Sequence, residues 1–560
     1  MGDERTASFP PYPPTAAPFV RHVAAEWGDR DLAVLDDRRL TFEAAERESA
    51  RLAEALLASG VRKGTRLGIL APNGPDWVVA FLAATRIGAV AVLLNTYWRP
   101  RELGWVLEHS DVEVLVTVDH HLGHDYVERL EEVAPGLGHQ IHREIDVDSH
   151  PSLRTVWMWG GRTPRWAGSV DELLAHAGGD APDEVSLAEA EAAVTPDDPM
   201  LVIYSSGSTS DPKGVVHSQR ATVCHPHNLL QFRDLRAGDV AYTPMPLFWV
   251  GGLSFTLLSC MHAGATAVFE ERFDPPATLA LIERERVTHV VGWPHMGKAL
   301  VEDPTFADRD LSSVRSGSID ALVPAELKVS DPELRANSLG MTESLGPHSI
   351  EMIGSRLPDD KRGSFGRSVP GVEHRIVDPV SGDDLPPGEL GSIWIRGYSL
   401  MIGMLRRDDA DVFEDGGWYD TGDGGYLDED GHLFFKGRLG NVIKSAGMNI
   451  TPREVELVIE EQPDVMHAFV AAVPHHERGE DVAAAVVVRP GHDIDPDDLR
   501  SRVKGQMASY KVPRHVSVFA TPQDLPWLES GKIDLRALQQ VLVDRFGSET
   551  LPTSTLPDAG

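Results

Sequence analysis

From residue 41 onward the chain alternates between two hydrophobic periodicities. TFEAAERESARLAEALLASG (41–60) predicts an amphipathic helix closed by Gly60, and RLGILAP (66–72) predicts a buried strand stopped by Pro72. VVAFLAAT (78–85) and VAVLL (90–94) predict a second helix and strand. Apolar runs at Val114–Val118, Met200–Tyr204, Thr266–Phe269 and Thr288–Val291 predict further buried strands, with helical segments between several of them. Such alternation predicts an α/β fold with largely parallel sheets. Between residues 120 and 198 the pattern weakens and predicts surface connection with a peripheral helix. After residue 370 shorter strands and turns predict a β-rich subdomain of antiparallel hairpins. GRLGN (437–441) is then the best boundary, because ITPREVELVIEEQP opens with Thr451 as a helix cap, Pro452 at the first helical position and Glu454 three beyond the cap. The expected organisation is a large N-terminal domain at 1–438, a small α+β domain at 439–545 and a disordered tail at 546–560.

Two apolar runs are long enough to raise the question of a membrane span, Trp77–Leu94 and Met245–Phe269. Arg86 and Gly88 interrupt the first, while Pro246, Gly251, Gly252, His262 and Gly264 punctuate the second, so both are expected in a soluble core. Composition narrows the partners. With 52 Lys plus Arg against 86 Asp plus Glu, the formal charge is −34 over 560 residues, which disfavours nucleic acid and acidic membranes. Cys224 and Cys260 are the only cysteines, too few for a disulfide framework. The first residues lack the basic-then-apolar order of an export signal, so a cytoplasmic location is expected.

Candidate chemistry concentrates in YSSGSTSDPKGV (204–215), directly after a predicted strand. Backbone N–H groups and the hydroxyls of Ser205, Ser206, Ser208 and Thr209 can donate to phosphate oxygens, Gly207 permits close approach, and Lys213 adds positive charge. A flexible Ser/Gly turn is the plainer alternative. Gly207 to Lys213 has Walker spacing, yet Pro212 and Gly214 stand where that motif requires Gly and Ser/Thr.

The string instead resembles the phosphate loop of the adenylate-forming superfamily, which includes acyl-CoA synthetases, firefly-type luciferases and adenylation domains. Ser210 replaces that loop's last glycine. Other segments similar to the family's signatures follow in order: GMTES (340–344), GSFGRSVPGVE (363–373), YDTGDGG (419–425), GRLGNVIKSAGMNITPREVE (437–456) and LESGKIDL (528–535). LAPNGPDWVVAFLAATRIGAV (70–90) extends the resemblance toward the N-terminus.

The resemblance implies ATP-dependent formation of an acyl-adenylate. A carboxylate repels nucleophiles and has no leaving group, whereas an acyl-AMP, formed with release of pyrophosphate, can be attacked. By residue, it implies that Lys532 bridges carboxylate and α-phosphate, Thr342 contacts phosphate, Glu343 holds magnesium, Asp423 accepts from ribose hydroxyls and Arg438 contacts ribose or phosphate. Gly317 and Ser318 join the nucleotide-binding set. Hinging at Gly440 would bring Lys444, Ser445 and Gly447 toward the incoming thiol. Leu339 stands where relatives carry an aromatic on the adenine.

Phe248, Trp249, Trp293 and Met341 occupy the segments that line the acyl pocket in relatives, and no aspartate follows Phe248 to hold an ammonium group. The implied substrate is an apolar fatty or aryl acid. Trp249 reads equally as a gate or as a packed core side chain. The implied reaction passes the acyl group to coenzyme A, with a carrier-protein thiol or an amine as alternative acceptors, and a nucleotide-binding protein without turnover as a further one. A homodimer is allowed but not specified. The cluster Cys224, His225 and His227 lacks a second ligand pair at zinc spacing and is read as packing.

Overall fold

The computed structural model describes residues 5–175, 185–205, 212–439, 443–445, 448–450, 452–475, 478–507, 511–528 and 533–550. The chain forms two compact units. One comprises 1–374, 395–419 and 431–433; the other comprises 375–394, 420–430 and 434–560, so several segments ahead of the expected boundary at 438 group with the second unit.

The first unit contains two large sheets. Val90–Leu93, Arg66–Leu70, Val114–Val118, Thr155–Trp159 and Gly168–Ser169 lie in that order in one sheet, all parallel. Pro199–Ser205 joins it in parallel beside Val90–Leu93, followed by antiparallel Lys213–Ser218 and Gly403–Met404. The other sheet runs Ser316–Gly317, His289–Val290, Val240–Tyr242, Thr266–Phe269 and Asp31–Leu35 in parallel, with antiparallel Arg38–Thr41 at its edge. A small sheet of Ser338–Met341, Gly346–Ile350 and Arg367–Ser368 and a two-stranded one of His120–His121 and His124–Asp125 also belong to the unit.

Local chemistry explains the elements. Helix Phe42–Ala58 starts where the Thr41 side chain accepts from Ala44 N at 3.1 Å, buries Phe42, Ala45, Leu52 and Leu56, and gives way at Gly60, whose φ of 101° suits glycine. Helix Pro75–Arg86 is buried along nearly its whole length, Asp76 alone being partly exposed, and therefore shows almost no polar face. Both of its charges are paired: Asp76 with Arg38 at 2.6 Å, and Arg86, whose Nε is 2.7 Å from Glu191 and whose Nη2 is 3.0 Å from Glu46. The uncharged run from Met245 splits into Val250–Gly252, a π-helical stretch Leu253–Leu258 and Ser259–Ala263, and Gly264 at φ 70° turns the chain into strand Thr266–Phe269. Among the described residues no helix is long and apolar enough to cross a membrane.

The weakly patterned region is not peripheral. Thr155–Trp159 is an internal strand of the larger sheet, and Tyr126, Trp157 and Trp166 are buried. The expected strand at 288–291 is shorter, His289–Val290.

The second unit holds most of a four-stranded sheet ordered Val372–Val377, Gly391–Gly397, Tyr419–Leu427 and Leu433–Arg438. Its other sheet pairs Val465–His475 antiparallel with Gly479–Val488, which runs parallel to His515–Phe519. Both faces of Gly479–Val488 are covered. Val482, Ala484 and Val486 pack with Ile459 and Leu499, while Ala483, Ala485 and Val487 pack with Leu538 and Leu542. That two-sided burial accounts for the unbroken VAAAVVV run. The expected helix is Pro452–Glu460, its cap Thr451 lying outside the described residues. The closing helix, Leu535–Thr550, extends into the segment expected as tail, because Leu538 and Leu542 anchor it on the sheet.

Candidate functional site

Strands Pro199–Ser205 and Lys213–Ser218 flank the phosphate segment, with Ser205 opposite Lys213. Both residues stand at the C-terminal edge of the parallel sheet, where open α/β sheets receive ligands. Ser206, Gly207, Ser208 and Thr209 lie outside the described residues. Tyr204 is fixed by a 2.8 Å hydrogen bond between its hydroxyl and His109 Nδ1. A side chain at Gly214 would meet Leu405 at 3.0 Å and the Tyr204 ring at 3.2 Å.

GMTES forms the end of strand Ser338–Met341 and the turn into Gly346–Ile350. Thr342 is half-buried and Glu343 is buried. The Thr342 carbonyl accepts from Leu345 N at 3.0 Å and from His217 Nε2 at 2.8 Å, and the Glu343 carbonyl accepts from Met401 N at 2.8 Å. Leu345 sits at φ 57°, a left-handed conformation that leucine holds only when its surroundings impose it. The Glu343 carboxylate has no ion-pair or hydrogen-bond partner among the described residues. A carboxylate oxygen donor with no protein partner among the described residues fits a hard cation such as Mg²⁺.

Gly317 ends the neighbouring sheet's edge strand and Ser318 follows it. A Cβ at Gly317 would lie 2.0 Å from Val290 O, so only glycine fits. Ser318 Oγ donates to Gly292 O at 2.6 Å and accepts from Gly292 N at 2.9 Å, joining the nucleotide candidates to the segment that carries Trp293.

The aromatic candidates come together. Phe248 and Trp249 have ring centroids 5.4 Å apart, and Trp249 and Trp293 6.2 Å, both edge-to-face. Tyr97 completes the group, 5.7 Å from Phe248 and 6.3 Å from Trp249. Burial raises the Tyr97 phenol above its ordinary range. Trp249 is only half-buried, so its ring is not a sealed core side chain. Asn73 holds this segment like a strand partner, its Nδ2 donating to Met245 O at 2.9 Å and its Oδ1 accepting from Leu247 N at 2.8 Å. A Cβ at Gly252 would be 2.2 Å from Pro246 O. Met341 and Leu339 are half-buried on strand Ser338–Met341.

In the second unit, Asp423 on strand Tyr419–Leu427 is buried, and Arg438 Nε lies 2.8 Å from its Oδ1. Arg438 Nη1 also donates to Thr421 O at 2.7 Å. Gly422 adopts φ 70°, and a side chain there would sit 3.3 Å from Arg438 Nη1. Asp420, by contrast, is exposed and caps its own turn, accepting from Gly422 N at 2.8 Å and Ser392 Oγ at 2.6 Å. Lys444 and Ser445 lie on strand Ile443–Ser445, opposite Asn449 and Met448, and Ser445 is buried. Gly440, Gly447 and Lys532 lie outside the described residues.

The histidines beside Cys224 are packing groups. His225 Nδ1 shares a 3.1 Å hydrogen bond with the Tyr398 hydroxyl, and His227 Nδ1 donates to Ser8 O at 3.0 Å. Burial pushes the Cys224 and Cys260 thiols up to about 11 and about 12, which leaves them inert. Sequence reasoning singled out neither Tyr97, Asn73 nor His217. His217 left a faint signal, a histidine at the second alternate position after Lys213 on a strand otherwise apolar on that side.

Residues 20–405 match the family described as AMP-binding enzyme, and 454–532 match the AMP-binding enzyme C-terminal domain. Feruloyl-CoA synthase of Amycolatopsis sp is 33% identical over 500 residues, covering 88% of this chain and 92% of its own. Indoleacetate–CoA ligase of Aromatoleum aromaticum is 31% identical over 532 residues, with coverage of 92% and 98%. Among solved structures, the amide bond synthetase McbA from Marinactinospora thermotolerans superposes with a TM-score of 0.75 at 28% identity, covering 94% of this chain and 99% of that one. With the family match spanning most of the chain, the chain belongs to the AMP-binding enzyme family.

Proposed function

We propose that the protein is an ATP-dependent carboxylic acid ligase of the acyl-CoA synthetase type, which forms an acyl-adenylate on an apolar aryl or fatty acid and transfers the acyl group to coenzyme A. One observation carries this reading: Ser318, among the nucleotide candidates, is hydrogen-bonded through Gly292 to the segment bearing Trp293, whose ring meets Trp249 and, through it, Phe248. An acid held against those rings has nucleotide-binding groups beside it. Feruloyl-CoA synthase and indoleacetate–CoA ligase act, by their names, on aromatic acids, which favours the aryl class.

Within this reading, Lys213 neutralises the departing pyrophosphate, Thr342 donates to phosphate, and Asp423 with Arg438 receives the ribose. Glu343 would hold Mg²⁺, which when bound offsets phosphate charge. Lys532 acts in the first half-reaction and the segment from Lys444 to Gly447 in the second, with Gly440 as the hinge between a domain ending at 438 and one starting at 439. The two buried, unpaired cysteines favour a reducing compartment, the cytoplasm. A homodimer remains part of the proposal and is tested by light scattering.

The two half-reactions separate experimentally. Lys532→Ala should reduce acid-dependent ATP–pyrophosphate exchange by at least about 100-fold, while CoA-dependent consumption of supplied acyl-adenylate stays near wild type. Equal loss of both would remove Lys532 from its proposed role. Similarity to an amide bond synthetase supports one second reading, an amine in place of CoA, which would show as exchange without a thiol response.

A further inference from the structure

Strand Lys213–Ser218 places Lys213, Val215 and His217 on one side of its pleat. Val215 and His217 are both fully buried. The His217 ring reaches the Thr342 carbonyl at 2.8 Å, and since a carbonyl only accepts, Nε2 carries the proton. One residue further on, the Glu343 carbonyl accepts from Met401 N, and the next amide in that segment, Ile402 N, donates to Val216 O at 2.9 Å. Consecutive carbonyls of the Thr-Glu pair are thus tied, one by a side chain and one through residues 401–402, to the strand that begins at Lys213. The left-handed Leu345 shows that the turn is held by its surroundings rather than by its own preference.

We propose that His217 is a positioning residue for the nucleotide: its ring holds the Thr342–Glu343 turn in register with Lys213, so that both reach the same phosphate chain. The assignment rests on the reading of this site as an adenylating one. Other features agree with it. His217 Nδ1 is buried without a partner among the described residues, so a second proton there would be a poorly compensated charge. Burial accordingly pushes the ring down to about 4, so it stays neutral throughout the neutral range, while the Thr342 carbonyl selects the tautomer with the proton on Nε2. Thr342 O keeps its bond from Leu345 N when the histidine is removed, so replacement should loosen the turn without orphaning a buried carbonyl.

The test compares His217→Leu, which fills the space without a donor, with His217→Gln, whose amide can still donate. Three quantities are read: calorimetric binding of a non-hydrolysable ATP analogue, KM for ATP against KM for the acid in pyrophosphate exchange, and Tm. His217→Leu should weaken analogue binding and raise KM for ATP about tenfold, leaving KM for the acid within about twofold, and His217→Gln should recover most of the loss. If His217→Leu does not fold, His217→Asn replaces it, since its amide is one methylene too short to reach Thr342 O. Wild-type analogue binding in the donor-less variant, or equal losses in the leucine and glutamine variants, would overturn the proposal. Analogue binding that follows this pattern in a protein that exchanges pyrophosphate with no acid would uphold His217 and overturn the ligase reading instead.

Discussion

Asp423 and Arg438, the pair proposed to receive the ribose, hold each other in one geometry. The carboxylate is buried, Arg438 Nε holds one oxygen at 2.8 Å, and Nη1 is occupied by Thr421 O at 2.7 Å, so the guanidinium is fixed and orients the acid. Asp423→Asn keeps the volume and can still accept from Arg438 through Oδ1, but it replaces the other carboxylate oxygen with a donor. KM for ATP should rise about tenfold or more with KM for the acid unchanged, and calorimetry with AMP should show the same loss. The charged candidates for the site stand out in the sequence because the family's phosphate chemistry confines them to short motifs. Tyr97, Asn73 and His217 were not, because each acts through a partner distant in sequence, Phe248, Met245 and Thr342 respectively.

Among the elements, the run from Met245 to Phe269 was read correctly as non-spanning, but its internal form followed from contacts the pattern does not encode. Gly252 immediately precedes the π-helical stretch Leu253–Leu258, and the Pro246 carbonyl passes within 2.2 Å of where its Cβ would stand. Gly252→Ala must push Pro246 aside and with it the neighbouring Phe248. A loss of about 1–3 kcal/mol in urea unfolding, together with a raised KM for the acid, is the expected result. Thr155–Trp159 escaped notice for the opposite reason. Its flanks are polar and Gly-rich, and its two tryptophans do not alternate with polar residues, since burial on both faces of an interior strand removes the period of two. Long helices and strands with a single buried face, such as Phe42–Ala58, were read to within two residues.

Taken as a whole, the molecule buries neutral histidines that would be charged in an unfolded chain. Burial pushes His217, His289 and His374 from 6.5 down to about 4 and His225 to about 3. Below pH 6.5 the unfolded chain binds protons that these sites refuse, so stability falls as pH drops toward 4. Glu270, raised from 4.5 to about 6 by burial, works in the opposite sense over a narrower window and is outnumbered. Tm should therefore fall by on the order of 10 °C between pH 7 and pH 4.5, with the onset above the range where most carboxylates titrate. A flat Tm over that interval would mean that these rings are accessible to protons in the folded state.

The most direct test of the ligase itself is release of AMP and pyrophosphate by the purified protein, measured with aryl and fatty acids and with amino acids, in the presence and absence of CoA. Release that requires an aromatic or apolar acid and accelerates with CoA, giving the acyl-CoA, is the result expected from the aromatic group at Phe248, Trp249 and Trp293. Release with no acid tested, or with α-amino acids alone, would contradict it.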